Sequence, residues 1–195
     1  GQEVRRKLGL GDTFLAIYAG THGIAQGLDT VLRAAQLLQD RPDIHILFVG
    51  DGPCKAELVA LKQKLSLPNV TMLDAQPRDT IPAFLSAADI ALVPLRRLKL
   101  FEDALPSKIF DAWACECPVV LSMEGEARRV LERANAGIFV PPESPQAMAQ
   151  AIRSLSEAPE RCREYGRCGR RFVKQHYSRQ AQAQQLTRLL EEISD

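Results

Sequence analysis

Short apolar runs alternate with segments whose apolar residues recur at helical spacing along most of this chain. Phe14 to Ala19, Ile44 to Val49, Asn69 to Leu73, Ile90 to Val93, Val119 to Leu121 and Gly137 to Val140 are short and rich in Val, Ile and Leu, and they read as strands buried on both faces. Between them Leu28, Val31, Leu32, Ala35 and Leu38 share one helical face, as do Leu58, Leu61 and Leu65, and then Ile81, Phe84 and Leu85. Ile109, Phe110, Trp113 and Ala114 make a further stripe, in which Trp113 reads as core. A helix from Glu126 to Ala134 and one bearing Ala147, Met148, Ala151, Ile152 and Leu155 complete the alternation. The pattern predicts an α/β fold: a Rossmann-like, doubly wound parallel sheet of about six strands with helices on both faces.

Residues 1–12 read as a linker, 13–159 as the sheet domain and 160–195 as C-terminal helices. The last segment breaks near His176-Tyr177-Ser178, after which Leu186, Leu189, Leu190 and Ile193 form an amphipathic stripe that must pack on something. Opening on Gly-Gln-Glu-Val-Arg-Arg-Lys without a Met, the chain reads like the middle of a longer protein.

Composition narrows the picture only a little. With 195 residues, 46% of them hydrophobic and 25% charged, the chain is long enough for a sizeable core. A net charge of +1 gives no sign of a nucleic-acid partner. The five cysteines, Cys54, Cys115, Cys117, Cys162 and Cys168, are odd in number and scattered, which fits reduced thiols in a cytoplasmic protein. No run approaches the roughly 18 apolar residues of a membrane-spanning helix. His22, His45 and His176 have no metal-ligand spacing, so no metal is expected.

Ligands of open α/β sheets bind at the carboxyl ends of the strands, so the loops there carry the candidate chemistry. Gly20-Thr-His-Gly23-Ile-Ala-Gln26-Gly27 follows the first strand, and its glycines let backbone N–H groups approach an anion. The spacing is not that of a dinucleotide fingerprint, and no Tyr-x-x-x-Lys pair is present, which speaks against a nicotinamide-dependent oxidoreductase. Gly50-Asp51-Gly52-Pro53 reads first as a turn, with Pro53 starting a helix. Gly125-Glu126 opens another helix and brings a backbone N–H or a carboxylate to the same edge. Asp103-Ala-Leu-Pro-Ser-Lys-Ile-Phe-Asp111 is the most informative stretch. Pro106 suits a first helical turn, Ser107 can cap it, and Lys108 and Asp111 share a face at i, i+3. A lysine at a helix N-terminus attracts phosphate, while carboxylates accept hydrogen bonds from sugar hydroxyls. The same residues also fit an ordinary helix start with a solvated aspartate.

The ordered set resembles the C-terminal half of a GT-B glycosyltransferase of the large retaining family four, the glycosyl transferases group 1. The stretches that carry the resemblance are Tyr18 to Asp29, Phe48-Val-Gly-Asp-Gly-Pro53, Ala88 to Pro94, Asp103 to Asp111, Cys117-Pro-Val-Val120 and Ala136 to Pro142, in the family's order and across nearly the whole chain. Family members carry an acidic pair at the positions of Asp103 and Asp111, where both are commonly glutamate. By resemblance Asp103 faces the donor sugar as the catalytic residue and Asp111 binds the ribose. The Pro-Ser-Lys between them is similar to a subgroup acting in bacterial surface-polysaccharide assembly. The resemblance implies a nucleoside diphosphate sugar as donor, a UDP-sugar first, with no cofactor and no metal. It also implies an absent N-terminal acceptor-binding domain, a saccharide or lipid-linked acceptor, and a place at the inner face of the cell membrane. Gly20, Gly23, Gln26, Gly125 and Glu126 fall on donor-binding loops, and Ala75 and Gln76 on the base-binding loop.

Where many members hold an Arg and a Lys against the diphosphate, this chain has Thr21 and Gln26. Lys108, with Arg96 or Arg97, is the expected replacement. The missing pair leaves open a non-catalytic interaction domain of the same fold.

Overall fold

The computed structural model describes residues 1–178, 180–183 and 187. Strands β1 (Phe14–Ala19), β2 (Ile44–Val49), β3 (Val70–Leu73), β4 (Ile90–Pro94), β5 (Val119–Ser122) and β6 (Gly137–Phe139) form one parallel sheet, ordered β3-β2-β1-β4-β5-β6. The helices are α1 (Gln2–Lys7), α2 (Leu28–Gln36), α3 (Lys55–Lys64), α4 (Ile81–Leu85), α5 (Ser107–Ala114), α6 (Glu126–Ala134), α7 (Pro145–Ser156) and α8 (Pro159–His176).

Side chains alternate across a strand, so a continuous apolar run feeds two cores. Ala16 and Tyr18 of β1 join the core shared with α2, α3 and α7, whereas Leu15 and Ile17 join the one shared with α4, α5 and α6. Helix α8 serves both faces, packing Cys162 and Tyr165 into the first core and Phe172 and Val173 against the second.

The chain switches direction of winding between β1 and β4, and those strands are the least fully paired. Their ladder joins only Ala16 to Ile90 and Ile17 to Ala91, whereas β1 and β2 pair from Phe14–Ile44 through Ala19–Val49. Past Ile17 no ladder bond holds β1 to β4, and a small cavity of about 40 Å³ lies there, lined by Ala19, Val93, Lys108 and Asp111 among others. The fold thus opens at the switch point, where α/β sheets take ligands.

Trp113 is buried on α5, donates from Nε1 to Ala136 O at 3.0 Å and meets the edge of Phe172 at 5.9 Å. One turn away Phe110 stacks on Tyr177 at 4.1 Å, so α5 is clamped to the end of α8. At the other end of the chain, Arg5 of α1 donates to Ala87 O at 2.7 Å and to Asp89 at 2.6 Å.

Helix starts differ from the sequence reading in detail. Pro106 precedes α5 in extended conformation (ψ 123°) and Ser107 is its first residue, with no capping bond from a side chain. Pro53 likewise stands outside α3, which begins after Cys54. Leu186, Leu189, Leu190 and Ile193 lie outside the described residues.

Replacing Trp113 by Ala should destabilise the fold by about 3–5 kcal/mol in urea unfolding, through the lost ring and the stranded Ala136 carbonyl. A loss below about 1 kcal/mol would mean that α5 is not seated as described.

Candidate functional site

A cleft of about 670 Å³ opens at the carboxyl end of the sheet. Its floor is Ala19, Gly20 and Thr21 after β1, with Gln26 beyond them, and Val49, Gly50 and Asp51 at the end of β2. One wall is Ala75, Gln76 and Arg78 after β3, continued by Ile81, Pro82 and Leu85 of α4. The facing wall is the start of α5: Ser107, Lys108 and Asp111.

Gly50 makes this floor possible. Its φ is 150°, and a Cβ there would collide with Gly20 O, so the two strand ends can approach only with glycine at this position. That close approach presents two stretches of main chain side by side, and Gly20 N donates to Val49 O at 2.9 Å.

Lys108 dominates the electrostatics. Its Nζ lies 4.4 Å from the centre of the Tyr18 ring and donates to Tyr18 Oη at 3.1 Å. Tyr18 Oη in turn donates to Thr21 O at 2.6 Å, and burial pushes the phenol pKa upward, so it stays a neutral hydroxyl. Among the described residues no carboxylate pairs with Lys108, and burial pulls the amine down to about 8. An ammonium has three donors, and only one is committed to Tyr18. The amine also lies close over Gly20, where an added Cβ would sit 2.9 Å from Nζ. A partly desolvated cation with spare donors above an open glycine floor is suited to an anion. Asp111 is exposed on the same wall, where its carboxylate can accept hydrogen bonds.

Other sequence candidates sit elsewhere. Gly23 lies in an adjoining cleft of about 290 Å³ beside Gly27, Asp29 and Glu57. Asp103 is exposed on the loop before α5 and is not part of the wall of the main cleft. That loop is fixed from below: Glu126 N donates to Glu102 O at 2.7 Å, and Gly125 (φ 87°) has no room for a Cβ against Glu102. The Glu126 carboxylate faces Arg129 and Arg133 on its own helix at 3.2 and 3.3 Å. Arg96 is held by Asp29 at 2.9 Å, Glu143 at 3.0 Å and the Ile24 carbonyl at 2.9 Å, so three of its five donors brace the loops, and it does not line the main cleft. Arg97 is exposed, and its backbone N–H donates to Glu143.

The structure adds residues that the sequence reading left out. Tyr18 reads as core from its strand, yet its hydroxyl positions Lys108. Arg78 and Asp51 also line the cleft, Asp51 in the turn after β2 and Arg78 just beyond Ala75 and Gln76, on the loop to which the resemblance points. His22 is fully buried between Tyr18 and Phe48, with neither ring nitrogen hydrogen-bonded among the described residues; burial pulls its pKa down and keeps the ring neutral. Among the described residues no three His, Cys, Asp or Glu side chains converge as metal ligands.

Comparisons with known proteins agree with this architecture. Residues 2–172 match the model of the family described as glycosyl transferases group 1. A protein of Escherichia coli (strain K12) named as the colanic acid biosynthesis glycosyl transferase WcaI is 32% identical over 169 residues, covering 83% of this chain and 41% of that protein. The crystal structure of Anabaena HepE in complex with UDP-glucose superposes with a TM-score of 0.84 at 21% identity, covering 98% of this chain and 52% of that one. The C-terminal domain of a group 1 family protein, LpcC from Francisella tularensis, aligns over 91% of this chain and 93% of its own, with a TM-score of 0.74 at 18% identity. The chain therefore spans about half the length of the full proteins it matches and nearly all of an isolated C-terminal domain. With its motifs, its fold and a family match over most of its length, this chain belongs to the glycosyl transferases group 1 family.

Proposed function

We propose that this domain binds the nucleoside diphosphate of a sugar donor, with UDP-sugars the first candidates, and forms the donor half of a retaining glycosyltransferase of bacterial surface polysaccharide or glycoconjugate synthesis. The observation that carries the reading is Lys108: a half-buried amine, unpaired with any carboxylate among the described residues, set over a glycine floor at the switch point of the sheet. The UDP-glucose in the HepE complex and the polysaccharide role in the name of WcaI support the choice of ligand and setting.

In this reading Lys108 and the main chain of Gly20 and Thr21 hold the diphosphate, with the start of α5 adding its dipole. Asp111 accepts from ribose hydroxyls, and Ala75, Gln76 and Arg78 border the base against the apolar side of α4. As the diphosphate leaves, negative charge grows on the oxygen released from the sugar, and a preorganised lysine stabilises it. Asp103 serves the sugar from the loop above Gly125. A partner domain, supplied by the rest of the protein, binds a saccharide or lipid-linked acceptor and closes over the cleft.

A second reading, a nucleotide-binding domain that transfers nothing, draws on the commitment of Arg96 to Asp29 and Glu143, which leaves phosphate charge to Lys108. Product analysis of the two-domain protein with UDP-sugars separates the two: a UDP-sugar that is bound but left intact, with neither UDP released nor a glycosylated product formed, would favour the second.

UDP at about 100 times its Kd should stabilise the chain by about 2.7 kcal/mol in thermal unfolding. Lys108→Met should weaken UDP binding about 10- to 100-fold, the range of a lost charged hydrogen bond, and Asp111→Asn about tenfold. Full stabilisation by UDP in Lys108→Met would remove the lysine from the site.

A pH profile tests the same residue. The free amine loses its proton near pH 8, whereas a bound diphosphate favours the charged form, so UDP binding should take up protons around that pH and weaken as pH rises further. Calorimetry in buffers of different ionisation heat measures this, and Lys108→Met should show no such uptake. The sign for stability is opposite. Burial lowers the folded pKa from 10.5 to about 8, so without ligand the charged lysine destabilises the fold below about pH 8, and the penalty is relieved as pH rises toward 10.5. Without ligand, Lys108→Met should therefore be more stable than wild type at pH 7, by a margin that narrows across that window. A constant margin would contradict the burial of the charge.

A further inference from the structure

Lys55 lies outside the cleft wall, yet it is tied to two of the segments that form it. Its Nζ donates to Gly50 O at 2.9 Å, to Leu73 O at 3.1 Å and to Asp74 Oδ1 at 2.5 Å. All three donors of the ammonium are thereby used on the exits of two adjacent strands, β2 and β3. Gly50 and Asp51 follow directly on one side as floor, and Ala75 and Gln76 follow on the other as wall. Among the described residues only one main-chain bond, Gly50 N to Leu73 O at 3.2 Å, otherwise joins these exits beyond the last ladder pair, Val49 and Leu73.

The position of this lysine argues against a role in its own helix. Lys55 is the first residue of α3, where the positive end of the helix dipole disfavours a cation. Its side chain nonetheless folds back over the helix start and is only 15% exposed, while the Asp74 carboxyl is 90% exposed. An ion pair to so exposed a partner contributes little, which leaves the two backbone carbonyls as the main contacts that hold the amine there.

We infer that Lys55 is a positioning residue: by bonding Gly50 O and Leu73 O together it sets the spacing between the β2 and β3 exits, and so the width of the nucleoside end of the cleft, without touching the diphosphate end at Lys108. The inference rests on the nucleotide reading given above. Lys55 then governs affinity for the nucleoside moiety and leaves binding of the diphosphate moiety alone.

The test is calorimetric titration of the whole chain with UDP and, separately, with inorganic pyrophosphate, for wild type, Lys55→Met and Lys55→Arg, each checked for folding by circular dichroism. Lys55→Met should bind UDP about tenfold more weakly and pyrophosphate as wild type does, and Lys55→Arg should recover most of the UDP affinity. Should the methionine variant fail to fold, Lys55→Gln, which keeps a neutral donor one bond shorter, should show the same selective loss to a smaller degree. Unchanged UDP binding in a folded variant overturns the assignment. So does an equal loss for both ligands, the mark of general structural damage. Failure of the wild type to bind UDP or GDP would instead remove the nucleotide reading itself, and this inference with it.

Discussion

The parting of β1 and β4 is the constraint on which the rest of the site depends. A right-handed crossover sends helices to one face of the sheet on one side of that seam and to the other face on the opposite side, so no helix covers the strand ends at the seam. The ladder stops at Ile17 and Ala91, and the first turn of α5 stands where the strands separate. The diphosphate end of the cleft takes its place from that opening: the backbone of Gly20 from β1, the Gly50 turn from β2, and Lys108 with Asp111 from α5.

Within the opening, charge is placed at a cost to stability. Lys108 could have been given a carboxylate and is given the face and hydroxyl of Tyr18 instead. A neutral partner orients the amine without neutralising it, so its charge remains available to a ligand. Arg96 shows the contrary arrangement. Two carboxylates and a carbonyl take three of its five donors, and it braces the loop after β4 against the start of α2 and the loop after β6. Two basic side chains close in sequence thus do different work, and their partners decide which.

Much of the fold was legible because parallel strands covered on both faces leave long apolar runs, and the six runs in the sequence correspond to the six strands, with no end differing by more than one residue. Helix starts were less legible. Pro106 and Ser107 satisfy the usual preferences for a first turn, but the extended Pro106 shifts the start by one residue and leaves the Ser107 side chain without a capping bond. For the site, spacing put Lys108 and Asp111 on one face, and the structure brings them to one wall of one cleft. Asp103, eight residues from Asp111, lies off that wall, because the chain between them turns through a loop whose path local periodicity does not encode. The roles of Tyr18 and Lys55 had no local signal at all. Tyr18 lies in a strand that reads as buried, and no local pattern singles out Lys55; each makes its contacts with residues far along the chain.

A crystal structure of the chain grown with UDP tests the central claim most directly. Diphosphate oxygens are expected within hydrogen-bond distance of Lys108 Nζ and over the Gly20 main chain, with the ribose hydroxyls on Asp111. Nucleotide density elsewhere on the molecule, or a bound diphosphate that leaves Lys108 contacting Tyr18 alone, would contradict it.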